Sequence, residues 1–145
     1  MRPSGRGAPE AALCARALVR PMPPTRTPQL APYIAAHDAP GLIRFIETGI
    51  GGRTGYLETD DSGAVRHAEL LVADGVVMVG EVPTGRSPFP AMVHLYVPDA
   101  DAAYSRALSA GATPVRPPTD ADDGDRRGGV RDAWGNEWWF TRARS

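Results

Sequence analysis

The chain has 145 residues, 42% of them hydrophobic and 23% charged, and carries a formal net charge of −1. That length suffices for one domain with a sizeable core, and the near-neutral balance gives no electrostatic footprint for nucleic acid or an anionic membrane. A single cysteine, Cys14, excludes an internal disulfide, and no apolar run approaches the ~18 residues of a membrane span. We therefore expect a cytoplasmic protein.

Residues 1–28 differ in composition from the rest of the chain. They are rich in proline and arginine, and Arg16 interrupts the apolar stretch that a signal peptide would need. We interpret them as a disordered tail or as a mis-annotated start, with Met22 as the natural first residue.

The sequence pattern of residues 29–82 predicts a strand, a helix and three further strands. Asp38 has the side chain and position of a helix N-cap, and its helix is predicted to run to about Thr48, before a group of glycines. The predicted strands are residues 30–36, 53–59, 65–73 and 76–82. Turns are predicted at residues 60–63 and 74–75.

Residues 83–90 hold three prolines and are interpreted as a linker, after which the same order returns over residues 91–142. Asp99 is the predicted cap of a helix that runs to Ala110. The predicted strands are residues 91–97, 114–116, 125–131 and 136–141, with a loop at 117–123 and a turn at 132–135. The repetition predicts an α+β fold built from two βαβββ modules.

The last strand contains two adjacent tryptophans, Trp138 and Trp139, which must point to opposite faces of the sheet. Alternation assigns Trp138 and the other strictly apolar positions to the side covered by helices. The opposite, cleft side is predicted to carry Ala31, Tyr33, Ala35, His67, Glu69, Leu71, Met78, Gly80, Met92, His94, Tyr96, Glu137, Trp139 and Thr141.

Three segments together resemble the vicinal oxygen chelate superfamily of glyoxalases, bleomycin resistance proteins and extradiol dioxygenases. They are HAELLVADG at 67–75, HLYVPDADAAYSRALSAGA at 94–112 and GDRRGGVRDAWGNEWWF at 124–140. The combination is similar to the glyoxalase-like branch. The resemblance implies a cupped mixed sheet around a small-molecule cleft, with the helices on the outer face, and commonly a homodimer.

Metal-dependent members of this superfamily bind a divalent cation with His and Glu side chains from the first and last strand of each module. Counted from the caps and turns, these positions fall on Ala31, Met78, Met92 and Trp139, none of which is a good ligand. A two-residue slip would bring His94 into one position without supplying the three ligands of a catalytic zinc site. The ligand positions therefore do not support a metal, and no cofactor is expected.

His67 and Glu69 lie two positions apart on the cleft side, roughly 7 Å between Cα atoms. A carboxylate beside an imidazole can raise its pKa and fix its orientation, as a general base requires. These two residues and His94 are the candidate catalytic groups; a polar pair on a solvated sheet face is the competing interpretation. The candidate substrate-binding residues are Tyr33, Met78, Met92, Tyr96, Glu137 and Trp139.

Two main functions remain open from the sequence, and a specialised biosynthetic enzyme that uses the same cleft is a third. The first is a metal-independent, bleomycin-resistance-like protein that binds a planar, partly apolar molecule against Trp139, Tyr33 and Tyr96. The second is a glyoxalase-like lyase or isomerase acting on a small oxygenated substrate, either by acid/base chemistry or with a metal.

Overall fold

The computed structural model describes residues 29–145. The predictions for residues 1–28, including Met22 and Cys14, lie outside the described residues. The first half consists of β1 (Tyr33–Ala36), α1 (Ala39–Phe45), a π-helical turn (Ile46–Ile50), β2 (Arg53–Thr59), β3 (Val65–Val72) and β4 (Gly75–Glu81). The second half consists of β5 (Met92–Tyr96), α2 (Ala100–Ser109), β6 (Thr113–Asp120), β7 (Arg126–Arg131) and β8 (Glu137–Arg142).

Each half forms one four-stranded mixed sheet, and the two sheets share one topology. The strand orders are β1-β4-β3-β2 and β5-β8-β7-β6. In each sheet the first strand pairs in parallel with the last strand, and the remaining pairs are antiparallel. The structure therefore confirms the predicted α+β fold of repeated βαβββ units.

Both helices begin at the predicted caps. The Asp38 side chain accepts a hydrogen bond from the Gly41 amide at 3.1 Å, and the backbone of Asp38 itself is left-handed with φ of 58°. The Glu81 carboxylate adds a second acceptor for this helix end at the Ala39 amide, 2.9 Å away. In α2, Asp99 accepts from the Ala102 amide at 3.0 Å. Such side chains satisfy amides that the first helical turn leaves without intrahelical partners.

One core joins the two halves. Trp138 and Phe140 of β8 are fully buried, and the Phe45 ring of α1 lies 6.4 Å from the Trp138 ring. Arg106 of α2 adds a polar link, donating to the Gly49 carbonyl at 3.1 Å and to the Ile50 carbonyl at 3.0 Å. No helix in the described part of the chain is long and apolar enough to cross a bilayer.

Three local predictions were wrong. β1 begins at Tyr33 rather than at residue 30. Residues 117–120 belong to β6 rather than to a loop, because the strand continues past Pro117 and Pro118 with changes of register. Its position at the edge of the sheet allows these prolines, which lack an N–H donor. The β3–β4 turn is Ala73–Asp74 rather than Asp74–Gly75: Ala73 takes the left-handed φ of 52°, and Gly75 pairs with Val72. The strand register outweighs the local preference of glycine for the turn.

Candidate functional site

Burial confirms which side chains face away from the helices, on what is called here the open face of each sheet. In β3, Ala68 and Leu70 are fully buried, whereas the alternating His67 and Glu69 are half-buried and Leu71 is 37% exposed. In β8, Trp138 is buried while its neighbour Trp139 is half-buried. The two-face assignment of the tryptophans is therefore confirmed.

On the open face of the first sheet, His67 is the centre of a cluster. Its Nε2 lies 3.2 Å from Oε1 of Glu69. The Tyr33 ring stacks on the imidazole with 6.0 Å between centroids and 22° between planes, and the Tyr56 ring approaches at 5.9 Å in a tilted arrangement. An imidazole held between two rings and a carboxylate has a fixed orientation, as a general base or a hydrogen-bonding group requires.

Gly80 determines where Tyr33 lies. A Cβ atom at this glycine would be 2.1 Å from the Tyr33 hydroxyl oxygen. The tyrosine therefore crosses the bare backbone of β4, and its hydroxyl reaches to 3.5 Å from the Arg66 carbonyl. Any side chain at position 80 would force the Tyr33 ring to move.

Tyr56 and Glu58 of β2 also belong to this cluster, and neither was predicted as a site residue. They pair across the sheet with Glu69 and His67. The Tyr56 hydroxyl lies 3.4 Å from Glu58 Oε2. The negative charge of Glu58, then desolvation, and the nearby Glu69 raise the pKa of Tyr56. Side chains alternate between the two faces of β2, so Tyr56 and Glu58 share one face. That alternation was the signal that could have placed both residues beside His67.

On the open face of the second sheet, Trp139 lies flat over Gly129 of the neighbouring strand. A Cβ atom at Gly129 would be 2.8 Å from two atoms of the indole. The indole Nε1 donates to Oε2 of Glu137 at 3.1 Å, and Arg131 donates to the other carboxylate oxygen at 2.7 Å. The hydrogen bond from Arg131, followed by that from Trp139, lowers the pKa of Glu137. These contacts fix the plane of the indole on the sheet.

The edge strand β5 lies beside this fixed indole, which is called the Trp139 platform below. His94 pairs with Trp139 across the strands, its Nε2 is within hydrogen-bonding distance of the Thr141 hydroxyl, and its ring stacks on Tyr96 at 5.5 Å. Tyr96 is 67% exposed and Met92 is 71% exposed. The second open face therefore offers apolar and aromatic surface with a few polar groups.

The predicted site residues form two clusters, one on each sheet. Within residues 29–145, no hydrogen bond, ion pair or ring contact joins the His67 cluster to the Trp139 cluster. An open groove of about 520 Å³ lies where the β3–β4 hairpin meets β5, and His94 and Tyr96 line it. The structure thus brings His67 and Glu69 together, and it places His94 in the other cluster.

The side chains present do not fit the divalent metal that the resemblance implies. The counted ligand positions hold Ala31, Met78, Met92 and Trp139, and the last of these lies against Gly129. No three His, Cys, Asp or Glu side chains among residues 29–145 are arranged to hold a metal ion. The contact between His67 and Glu69 joins two donors, and the described residues supply no arrangement of the three protein ligands that a catalytic zinc site needs.

Comparison with known proteins gives a consistent family assignment. The model of the Glyoxalase/Bleomycin resistance protein/Dioxygenase superfamily matches residues 29–140. An uncharacterized protein of Mycobacterium bovis is 33% identical over 123 residues, covering 77% of this chain and 80% of that protein. The crystal structure of TioX from Micromonospora sp. ML1 is similar with a TM-score of 0.69 and 29% identity, covering 80% of this chain and 98% of TioX.

A glyoxalase-related enzyme from Fulvimarina pelagi shares the fold, with a TM-score of 0.65 at 16% identity, covering 81% of this chain and 89% of that enzyme. The family model spans both sheets, and the relative and the two solved structures each cover more than three quarters of the chain. The chain therefore belongs to the glyoxalase/bleomycin resistance protein/dioxygenase superfamily.

Proposed function

We propose that this protein is a cytoplasmic, bleomycin-resistance-like binding protein that holds a small, planar, partly apolar organic molecule on its open faces, without a metal triad. The observation that carries the proposal is the Trp139 platform, an indole laid flat over Gly129 and fixed by Glu137. No other aromatic ring in the described residues stacks on it. An aromatic surface held in place costs little entropy when a planar ligand stacks on it.

The neighbours of Trp139 have the composition of a ligand pocket wall. Met92 and Tyr96 supply exposed apolar area, and His94 supplies a polar group between them. Pockets for small molecules are mostly apolar, with a few polar groups that orient the ligand. The same description applies to Tyr33 and Met78 on the first open face, beside His67.

We further propose a homodimer in which a second copy helps to cover these faces. Support comes from the large side chains left exposed there: Met92 at 71%, Tyr96 at 67% and Tyr33 at 50%. Exposed apolar patches on a folded chain mark interaction sites. Light scattering after gel filtration tests this point, and a monomeric mass at micromolar concentration would contradict it.

The binding proposal is tested by calorimetric titration with 2-naphthamide, a neutral planar compound. We expect Trp139→Ala to weaken binding at least about fivefold, since stacking on one aromatic side chain contributes roughly 1 kcal/mol or more. Phe89→Ala is the matched control, because Phe89 is an aromatic residue that is 82% exposed and lies outside the strands that form the two open faces. Equal affinities of the wild type and Trp139→Ala, or no binding by either, would contradict the proposal.

Metal independence is tested separately, by elemental analysis of the purified protein and by thermal unfolding with Ni²⁺, Zn²⁺ or Mn²⁺. A cation that binds tightly to the folded state must raise its unfolding temperature. We expect no stoichiometric metal and no stabilisation. Stoichiometric metal with a clear rise in Tm would contradict this part of the proposal.

A second candidate function is acid/base catalysis by a lyase or isomerase on a small oxygenated substrate. It is favoured by the 3.2 Å contact between His67 and Glu69, in which Glu69 would orient an imidazole that removes a proton beside a carbonyl group. The test is proton exchange at carbon of hydroxyacetone in D₂O, followed by NMR. Exchange above the buffer rate that is lost in His67→Gln and reduced in Glu69→Gln would support it; no exchange with the wild type would contradict it.

A further inference from the structure

Four residues form a row across the open face of the second sheet. The register pairs His94 with Trp139, Trp139 with Gly129, and Gly129 with Arg116. Residues paired in this way share one face of a sheet. Arg116 therefore lies on the same face as the Trp139 platform, separated from it by a glycine that has no side chain.

The irregular register of β6 brings Arg116 to this position. Pro114 pairs with Val130, and the next partner pair is Arg116 with Gly129, so one extra residue, Val115, is inserted between them. Without the insertion, Val115 would stand opposite Gly129. Such bulges redirect side chains and are over-represented next to functional sites.

The indole leans toward Arg116. Its six-membered ring lies over Gly129, which is on the strand between β8 and β6. Two strand spacings, roughly 10 Å, separate the Cα atoms of Trp139 and Arg116. Because the ring covers part of that distance, the long side chain of Arg116 can reach the edge of a planar molecule stacked on the indole.

Arg116 differs from the other arginines of this face because it has no ion-pair partner among the described residues. Arg131 is paired with Glu137 at 2.7 Å, and Arg127 is paired with Asp123 and Asp125. Among residues 29–145, no ion pair includes Arg116. The positive charge beside the platform is thus not neutralised by a carboxylate of the described chain.

We propose that Arg116 binds an acidic group of the ligand whose aromatic ring stacks on Trp139, so that the ligand class is a planar aromatic carboxylate. This inference rests on the proposed binding function. A guanidinium presents a planar fork of donors that matches a carboxylate in two-point contact. Glu137, the carboxylate that contacts the indole within residues 29–145, is already held by Arg131 and by the indole itself.

The test compares three compounds of one shape: anionic 2-naphthoate, neutral 2-naphthamide and cationic 2-naphthylmethylammonium. Calorimetry should rank the affinities of the wild type in that order, with naphthoate ahead of naphthamide by roughly fivefold to twentyfold, as a partly exposed charge-assisted contact provides. Arg116→Gln should remove this preference by lowering the affinity for naphthoate much more than the affinity for naphthamide.

Arg142→Gln is the matched control. Arg142 of β8 pairs in the register with Arg126, which forms an ion pair with Asp101 of α2, so Arg142 lies on the helix side of the same sheet. It should keep the preference for naphthoate. Equal affinities for naphthoate and naphthamide, or an equal loss in both arginine variants, would overturn the inference while leaving the binding function intact. If Trp139→Ala leaves the affinity for naphthamide unchanged, the binding function itself is wrong.

Discussion

The indole Nε1 of the buried Trp138 donates a hydrogen bond to Oδ2 of Asp132 at 2.9 Å. Three more donors converge on this carboxylate, from the Trp134 amide and from the amide and side chain of Asn136, each at 2.9 Å. Asn136 in turn accepts from the Ala91 amide at 2.9 Å. Asp132 therefore fixes the β7–β8 turn, orients the largest core side chain and links the turn to the start of β5.

Replacement of Asp132 by alanine is expected to lower the free energy of unfolding by about 3 kcal/mol or more, because several buried donors would lose their acceptor. Asp60 is the matched control: it holds the β2–β3 turn by accepting from Ser62 and Ala64 in a more exposed setting. Asp60→Ala should cost about 1 kcal/mol. Urea unfolding measures both values, and equal losses would contradict the assigned role of Asp132.

The two tryptophans of β8 should respond differently to truncation. Trp138→Ala removes a fully buried ring and should destabilise the protein by roughly 3–5 kcal/mol. Trp139→Ala removes a half-buried ring on the open face and should cost about 1 kcal/mol. Urea unfolding of the two variants provides the comparison. Equal destabilisation would mean that both rings belong to the core.

A methyl group at Gly129 should disturb the platform directly. The added Cβ would lie 2.8 Å from the indole, so the ring must move and its hydrogen bond to Glu137 should weaken. We expect Gly129→Ala to reduce the affinity for 2-naphthamide at least about fivefold, with a stability cost of roughly 1–3 kcal/mol. Gly75→Ala is the control, since its nearest neighbour atom would be 3.7 Å away. Unchanged affinity in Gly129→Ala would show that the indole does not bind the ligand.

The ion pair of Glu137 predicts a pH dependence of stability. Its pKa is lowered from the ordinary 4.5 by Arg131 and Trp139, so its contribution is present above 4.5 and is lost as the pH falls through the lowered pKa. The difference in unfolding free energy between the wild type and Glu137→Gln should therefore be constant near neutral pH and shrink below pH 4.5. The same difference measured in an Arg131→Gln background should be smaller. A difference independent of pH would contradict the ion pair.

The fold could be predicted from the sequence where a single strand or helix carries the signal. Alternation assigned His67 and Glu69 to the cleft side of β3, and Trp139 to the cleft side of β8 with Trp138 on the opposite side, because the period of a strand is fixed. The caps Asp38 and Asp99 were identifiable for the same reason: the acceptor and the amides that it serves are close in sequence.

The parts that could not be predicted depend on register between strands. The contacts of Gly80 with Tyr33 and of Gly129 with Trp139 join residues that are far apart in sequence and become neighbours only through strand pairing. Arg116 was missed because an inserted residue in β6 changes which side chain faces Gly129, and because the acid-rich residues 117–123 were predicted to form a loop.

The most direct test of the account is a ¹H–¹⁵N NMR titration that follows the three tryptophan indole N–H signals as 2-naphthoate is added. Trp139→Phe assigns the platform signal. We predict that the Trp139 signal shifts in a saturable manner while the Trp138 signal, buried and bonded to Asp132, stays in place. A titration that leaves the Trp139 signal unmoved, or that shifts all three signals equally, would contradict ligand binding at this platform.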